Sequence, residues 1–325
     1  MNRAKILTYL AAFLLIIILN FLLPRLMPGD PFLAIYGEEA ALTLSEETKL
    51  ELIAALNLDK PLWQQFGSYL AHLMRGDLGY SYGFNSPVLA LIGRVLPWTI
   101  LLIGSSLVIS TLLGIVLGIE SGWRLGSRWD RFILLTAMSL SALPNFLIGS
   151  ILLLFFAVHL AWFPLGGAFT PYSGLSGFGF LADVLKHLFL PMLTLALTQL
   201  TDIILLTRAA MVGSVKAPYI LTAKAKGLKD FRVRYRHAGR NSLLPVSARL
   251  GVAVGSSFAG TLFIEIVFAY PGIGSLLHQA IINRDYPLLQ GILLVVACAI
   301  IMANWGADCF AQRIDPRTRK EQHFD

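Results

Sequence analysis

Charged residues are scarce in this chain. Only 14% of its 325 residues are Asp, Glu, Lys or Arg, whereas 56% are hydrophobic. A soluble globular domain contains about 25% charged residues, so the composition excludes that class and indicates a chain embedded in a lipid bilayer. The net charge of +7 does not indicate nucleic-acid binding, because the basic residues adjoin apolar segments and no recognised nucleic-acid motif accompanies them.

Cysteines and catalytic motifs are also missing or few. Cys298 and Cys309 are the only cysteines, and on one helix they would lie about 16 Å apart, too far for a disulfide. The sequence has no Gly-x-x-x-x-Gly-Lys-Ser/Thr phosphate loop, no His-Glu-x-x-His and no Gly-x-Ser-x-Gly, and its six histidines are scattered. We therefore expect no catalytic residues, no metal, no cofactor and no ATP site in this chain.

Long apolar segments dominate what is present. A bilayer is crossed by about twenty apolar residues, and the sequence predicts an all-α membrane protein with six transmembrane helices. The predicted spans are 7–27, 97–120, 132–160, 187–212, 245–269 and 286–310. Pro97 suits the start of the second span, and Pro144 is predicted to break the third. They define a retained N-terminal helix at 1–27, an external loop subdomain at 28–96, a five-helix core at 97–312 and a tail at 313–325.

The distribution of Lys and Arg predicts the orientation. With the N-terminus inside, the cytoplasmic segments hold 17 Lys and Arg and the external loops hold 6. The positive-inside rule therefore puts both termini of a multi-pass membrane protein in the cytoplasm. The external subdomain contains two helical patterns, one capped at Ser45 and one running from Pro61 through Leu73. It either forms a lid that stabilises only this chain or meets a partner outside the membrane.

A basic segment, Ala217 to Pro245, lies between two of the apolar spans. Between Lys216 and Arg240 it carries eight Lys or Arg and a single acid, interleaved with apolar residues as in a short surface helix. Gly227 suits an exit from that helix with positive φ, and Pro245 suits the first turn of the next membrane helix. A solvated loop on anionic lipid is the alternative interpretation.

Two motifs in this segment, T-A-K-A-K-G-L and R-N-S-L-L-P, resemble the cytoplasmic coupling loop of ABC-importer permeases. Leu221-Thr222-Ala223 replaces the common Glu-Ala-Ala, and the gap from Gly227 to Pro245 is longer, as is usual in the dipeptide, oligopeptide and nickel branch. Further fragments of that branch are Met27–Pro31, Leu58–Leu62, Gly76–Ser81, His187–Pro191, Ala269–Gly274, Asn283–Pro287 and Ile314–Arg317.

The resemblance implies a function and a set of partners. The chain would be the permease subunit of an ATP-driven importer in the bacterial inner membrane. The importer would carry peptides or a related solute such as chelated nickel and work by alternating access. Its partners would be two ABC ATPase subunits, a second homologous permease, an extracytoplasmic solute-binding protein and the lipid bilayer, with no nucleic acid. The implied ATPase-coupling residues are Ala223, Lys224, Ala225, Lys226, Gly227, Arg240, Asn241 and Pro245.

Ionisable residues inside the spans are functional candidates because they are costly in lipid. Asp202, Glu265, Tyr270 and Pro271 are predicted to line the translocation path or to form a gate, although a packing role for Glu265 is equally compatible with its position. Asp202 and Arg208 are six residues apart and each needs a partner on another helix, or Arg208 simply extends to the membrane surface.

Two alternatives remain at this stage. Asp202 and Glu265 are also the acid and base of an intramembrane enzyme hypothesis, which requires no ATPase. Gly251, Gly255 and Ala259 recur every four residues, and this stripe serves either packing within the chain or a seam against a second permease.

Overall fold

The structure is a computed structural model that describes residues 3–26, 45, 47–49, 51, 60–81 and 83–314. Its helices and strands are α1 (Arg3–Leu26), α2 (Leu62–Met74), β1 (Tyr80–Ser81), β2 (Ser86–Pro87), α3 (Val88–Trp123), α4 (Arg128–Ser141), α5 (Asn145–Leu152) with a π-helical extension (Leu153–His159), α6 (Gly177–Val215), α7 (Pro218–Ala225), α8 (Asp230–Arg232) with a π-helical segment (Val233–Gly239), α9 (Arg240–Val267), α10 (Ile273–Ile282) and α11 (Tyr286–Ile314).

Long apolar helices make up most of the described chain. Three of them are long and apolar enough to cross a membrane, namely α3, α6 and the Tyr286–Gly306 part of α11. Together α4 and α5 with its extension are also long and apolar enough, but they are bent by 102° and form either a broken span or a re-entrant loop. The bend lies at Pro144, where the sequence predicted a break. Pro144 has extended backbone and immediately precedes α5. The other two predicted spans contain shorter apolar helices, Leu7–Leu22 and Val252–Val267.

Two prolines predicted to begin helices lie inside them. Pro97 is within α3, because the helix begins earlier, at Val88, where Val88, Leu91 and Ile92 are buried in a hydrophobic core. Pro245 is in the second turn of α9, because the π-helical segment leads directly into that helix. Both sequence predictions were wrong, because helical backbone already precedes the proline in each case.

The loops outside the long helices are shorter than predicted. α6 begins at Gly177 rather than near 187. α10 occupies most of the loop predicted at 271–287, and one face of it, with Ile273, Leu276 and Ala280, is buried. The helix predicted at Pro61–Leu73 is confirmed by α2. The cap at Ser45 is present, with the Thr48 N–H donating to Ser45 Oγ over 3.2 Å, but most of the helix predicted after it lies outside the described residues.

The chain divides into two compact units, and the first comprises Met1–Thr99 with Pro271–Ile301. Its hydrophobic core joins α3, α10 and α11 through Val88, Leu91, Ile92, Ile273, Leu276, Ala280, Leu288 and Ile292. α1 packs on α2, with the rings of Phe21 and Phe66 5.1 Å apart in an edge-to-face contact. Asn20 Nδ2 donates to Tyr69 Oη over 3.2 Å, so α1 and α2 are joined by polar as well as apolar contacts.

The second unit comprises Ile100–Tyr270 with Met302–Asp325, and within it α3 packs closely on α6. Gly114, Gly118 and Gly122 form a stripe on α3 that faces α6. A Cβ on Gly118 would lie 2.5 Å from Thr207 Cβ and 2.9 Å from the carbonyl oxygen of Ile204. Only glycine fits this approach of two helices, as in other close helix pairs within membranes.

Candidate functional site

The short helix predicted in the basic segment is present as α7. Pro218 occupies its first turn, where a proline loses no intrahelical hydrogen bond. The helix ends at Ala225, and Gly227 has φ of +71°. That left-handed conformation is the usual way for a glycine to end a helix, and the Gly227 N–H donates to the Lys224 carbonyl over 2.9 Å.

α7 has one face against the membrane helices and one face open. Ile220 and Ala223 are buried, in a core cluster whose other members are Ile119, Met211, Val233 and Ala238. On the opposite side Leu221 is 69% exposed, and Ala225 and Lys226 are exposed beside it. The helix is therefore anchored through one side while the other remains available for contact.

Glu120, near the end of α3, fixes the basic segment in position. Both carboxylate oxygens accept from Arg234 Nη1, over 2.7 and 2.8 Å, and Oε1 also accepts from Tyr235 Oη over 2.8 Å. Arg124 Nη2 also lies 3.3 Å from Glu120 Oε2. The Glu120 and Arg234 side chains are mostly buried, so this network joins the basic segment to α3 in a region with limited solvent screening.

Two further interactions support that junction. The Trp123 ring lies beneath two cations, with Lys224 Nζ 5.1 Å and Arg234 Cζ 5.4 Å from its centroid, which is within cation–π distance. Burial raises the pKa of Tyr235, and the hydrogen bond to Glu120 raises it further. The phenol therefore stays protonated at neutral pH and keeps its donor role.

Arg208 is an ion-pair partner and does not simply extend to the membrane surface. Its Nε and Nη2 donate to the two oxygens of Asp130 over 2.8 and 3.0 Å. Asp130 is buried and also accepts from Ser121 Oγ over 2.5 Å and from the Gly126 N–H over 2.8 Å. The predicted need for a partner on another helix is therefore confirmed for Arg208, and the alternative of a snorkelling arginine was wrong, because a buried carboxylate lies within reach on α4.

The remaining predicted coupling residues lie at the start of α9. Arg240, Asn241 and Pro245 are all exposed. Asn241 Nδ2 donates to Tyr219 Oη over 2.7 Å, which ties the start of α9 to α7. The structure therefore brings Lys224, Asn241 and their neighbours into one connected segment.

Asp202 has the partner on another helix that the sequence required. Arg249 Nη2 of α9 donates to Asp202 Oδ2 over 2.9 Å, and both side chains remain substantially exposed, at 63% for Asp202 and 41% for Arg249. An exposed ion pair on two helices of a membrane chain is unusual, because a charge facing lipid is costly.

Glu265, Tyr270 and Pro271 lie elsewhere. Glu265 and Tyr270 are fully buried, and Pro271 is half-buried. Glu265 follows Arg249, the partner of Asp202, by sixteen positions on α9, a separation of about 24 Å along the helix axis. The structure does not bring Asp202 and Glu265 together, so they do not form the acid–base pair that an intramembrane enzyme would require. Within the described residues, no three His, Cys, Asp or Glu side chains form a group suited to a metal ion.

The long apolar helices define a multi-pass membrane protein. The sequence profile of the family described as binding-protein-dependent transport system inner membrane component matches residues 110–320. The chain belongs to this family, and within it to the inner-membrane permeases of peptide ABC transporters.

The relatives that support this assignment match along almost the whole chain. A Brucella suis protein whose name assigns it provisionally to the peptide permeases is 37% identical over 97% of both chains. The dipeptide transport system permease protein of Escherichia coli K12 is 33% identical over 95% of this chain and 96% of its own. The oligopeptide transport system permease protein of Bacillus subtilis is 33% identical over 93% of both chains.

Sequence reasoning missed the residues that hold the basic segment. Glu120 is the first charge after an apolar run from Trp98 to Ile119, and Asp130 is the only acid between residues 121 and 131. A single acid at the end of an apolar span, in a chain with a strongly basic loop, is a signal for an ion pair. It does not identify which of the eight cations is the partner.

Proposed function

We propose that this chain is a membrane-spanning subunit of an ATP-driven importer for peptides, in which separate ATPase subunits dock on α7 and drive alternating access. The observation that carries the proposal is the division of α7 into an anchored face and an open face. Ile220 and Ala223 are buried in the chain, whereas Leu221 and Ala225 are exposed. A short helix held in this way transmits a push at its open side to the helices beneath it.

The route of that push follows from the contacts. Lys224 and Arg234 lie over Trp123, and Arg234 pairs with Glu120, so a displacement of α7 acts directly on the end of α3. Met211 belongs to the same core cluster as Ile220, so the end of α6 is coupled as well. Movement of α3 and α6 would open and close the solute path in alternation.

The proposed topology has six transmembrane helices, both termini in the cytoplasm and residues 28–96 outside. A second homologous permease completes the path, a solute-binding protein delivers the solute from outside, and two ATPases bind inside. Peptides are favoured because relatives from several bacteria carry peptide transport in their names. A nickel complex would be a variation of the same function, with the metal as cargo.

The first test replaces Gly227 by valine. A β-branched residue is strongly disfavoured at φ of +71°, so the end of α7 is expected to reorganise and the ATPase subunits to dissociate. The measurement is the amount of ATP-binding subunit that co-purifies with the tagged chain from native membranes, together with peptide uptake by the cells.

Gly76→Val is the matched control. Gly76 has φ of +75°, and nothing lies within 4 Å of a Cβ added at either glycine, so the two variants impose the same backbone strain at different places. Gly76→Val should retain the ATPase subunit. Equal retention of ATPase by both variants would argue against docking on α7.

A further inference from the structure

The exposed ion pair between Asp202 and Arg249 identifies a polar face on the membrane helices. Asp202 is thirteen residues before the end of α6 at Val215, so it lies about 20 Å from that end and not at its tip. Arg249 is nine residues into α9. Asp202 is therefore too far from the end of α6 for its short side chain to reach the membrane surface there.

Other polar groups extend this face into the chain. Gln199, one turn before Asp202, donates through Nε2 to Ser257 Oγ over 2.8 Å and accepts from Ser110 Oγ over 3.0 Å. Ser256, on α9, is exposed. Lipid hydrocarbon forms no hydrogen bonds with such groups. Exposing a charged pair to it costs several kcal/mol of free energy. A polar face at this depth requires water or a polar partner.

We propose, resting on the peptide importer function above, that Asp202 and Arg249 line the aqueous path through which the solute crosses. The exposed pair presents a carboxylate and a guanidinium side by side, which are the counter-charges for the ammonium and carboxylate ends of a zwitterionic peptide. A dry seam against a second permease is less favourable, because burying both partly solvated charges would cost more desolvation than their single 2.9 Å contact returns.

The test uses the small number of native cysteines. With Cys298→Ser and Cys309→Ser as the parent, D202C, R249C and L112C are each made in the complete transporter. Leu112 is an exposed residue on an apolar face of α3 and is the lipid-facing control. Inside-out membrane vesicles without ATP are treated with a positively charged, membrane-impermeant methanethiosulfonate, and the rate of labelling is measured.

Positions 202 and 249 are expected to label on the order of 100-fold faster than position 112, because only an ionised thiol in water reacts readily. S256C reports on the same face with the ion pair intact, in case loss of either charge prevents folding. If these positions label as slowly as position 112, the inference is overturned. It is also overturned if they label only after detergent has separated the subunits.

The parent is first assayed for peptide uptake. If neither the native transporter nor the parent without cysteines transports peptides, the proposed function is contradicted. A parent that transports peptides but shows no difference in labelling contradicts only the placement of Asp202 and Arg249 on the path.

Discussion

Replacement of Glu120 by alanine is expected to abolish peptide uptake while the chain remains in the membrane. Arg234 and Tyr235 would lose the acceptor that both now share, and a mostly buried guanidinium would lose its counter-charge. Removing one partner of a buried ion pair lowers stability by about 3–5 kcal/mol, which is enough to release the basic segment from α3. Uptake by cells and ATP hydrolysis by the purified transporter are the measurements, both normalised to the amount of chain in the membrane.

Asp230→Asn is the control for Glu120→Ala. Asp230 is an exposed acid at the start of α8 in the same segment, so its neutralisation alters the local charge without removing the anchor. Uptake should be close to that of the native protein. Normal uptake by Glu120→Ala, or an equal loss in both variants, would show that the Glu120 network does not transmit movement.

Replacement of Gly118 by alanine is expected to prevent α3 and α6 from packing, and so to remove most of the folded protein. The new methyl group would lie 2.9 Å from the Ile204 carbonyl oxygen, which belongs to the backbone of α6 and cannot rotate away. Overpacking of this kind costs about 1–3 kcal/mol, and more when the backbone must move. The measurement is the yield and thermal stability of the monodisperse protein in detergent.

The matched variant is Gly104→Ala on the same helix. Nothing lies within 4 Å of a Cβ added at Gly104, and alanine favours a helix over glycine by about 1 kcal/mol. Its stability should be unchanged or slightly increased. Similar losses from both variants would mean that a general effect on α3, and not contact with α6, causes the destabilisation.

Local backbone features could be predicted from the sequence, in the basic segment and elsewhere, because they depend on single residues. Gly227 was expected to have positive φ, and it does, since glycine after a short helix commonly ends it in this way. The break at Pro144 was predicted on the same basis, from the backbone restriction that proline imposes. Such predictions require no knowledge of neighbouring helices.

Features that depend on contacts distant in sequence could not be predicted. Glu120 and Arg234 are separated by more than a hundred residues, and a pattern read along the chain does not pair them. The sequence analysis singled out the stripe at Gly251, Gly255 and Ala259 but not the stripe at Gly114, Gly118 and Gly122, which packs closely on α6. The two stripes have the same four-residue spacing, and the spacing does not say which helix each one faces.

The partner of Arg208 was missed for a related reason. A cation near the end of a span is commonly explained by extension to the membrane surface, and the sequence places no acid at helical spacing from it. The bend at Pro144 separates α4 from α5, and α4 packs on α6 through Ile133, Ala137 and Ile204. Asp130 reaches Arg208 as a consequence of that packing, which is a property of the tertiary structure.

The central claim, that an ATPase docks on the open face of α7, is tested most directly by photo-crosslinking from Leu221 in native membranes. A benzophenone amino acid at this exposed position should crosslink to an ATP-binding subunit, whereas the same probe at the exposed Tyr172, on the predicted opposite side of the membrane, should not. Crosslinking to that subunit from position 172, or its absence from position 221 in membranes that actively transport peptides, would contradict the claim.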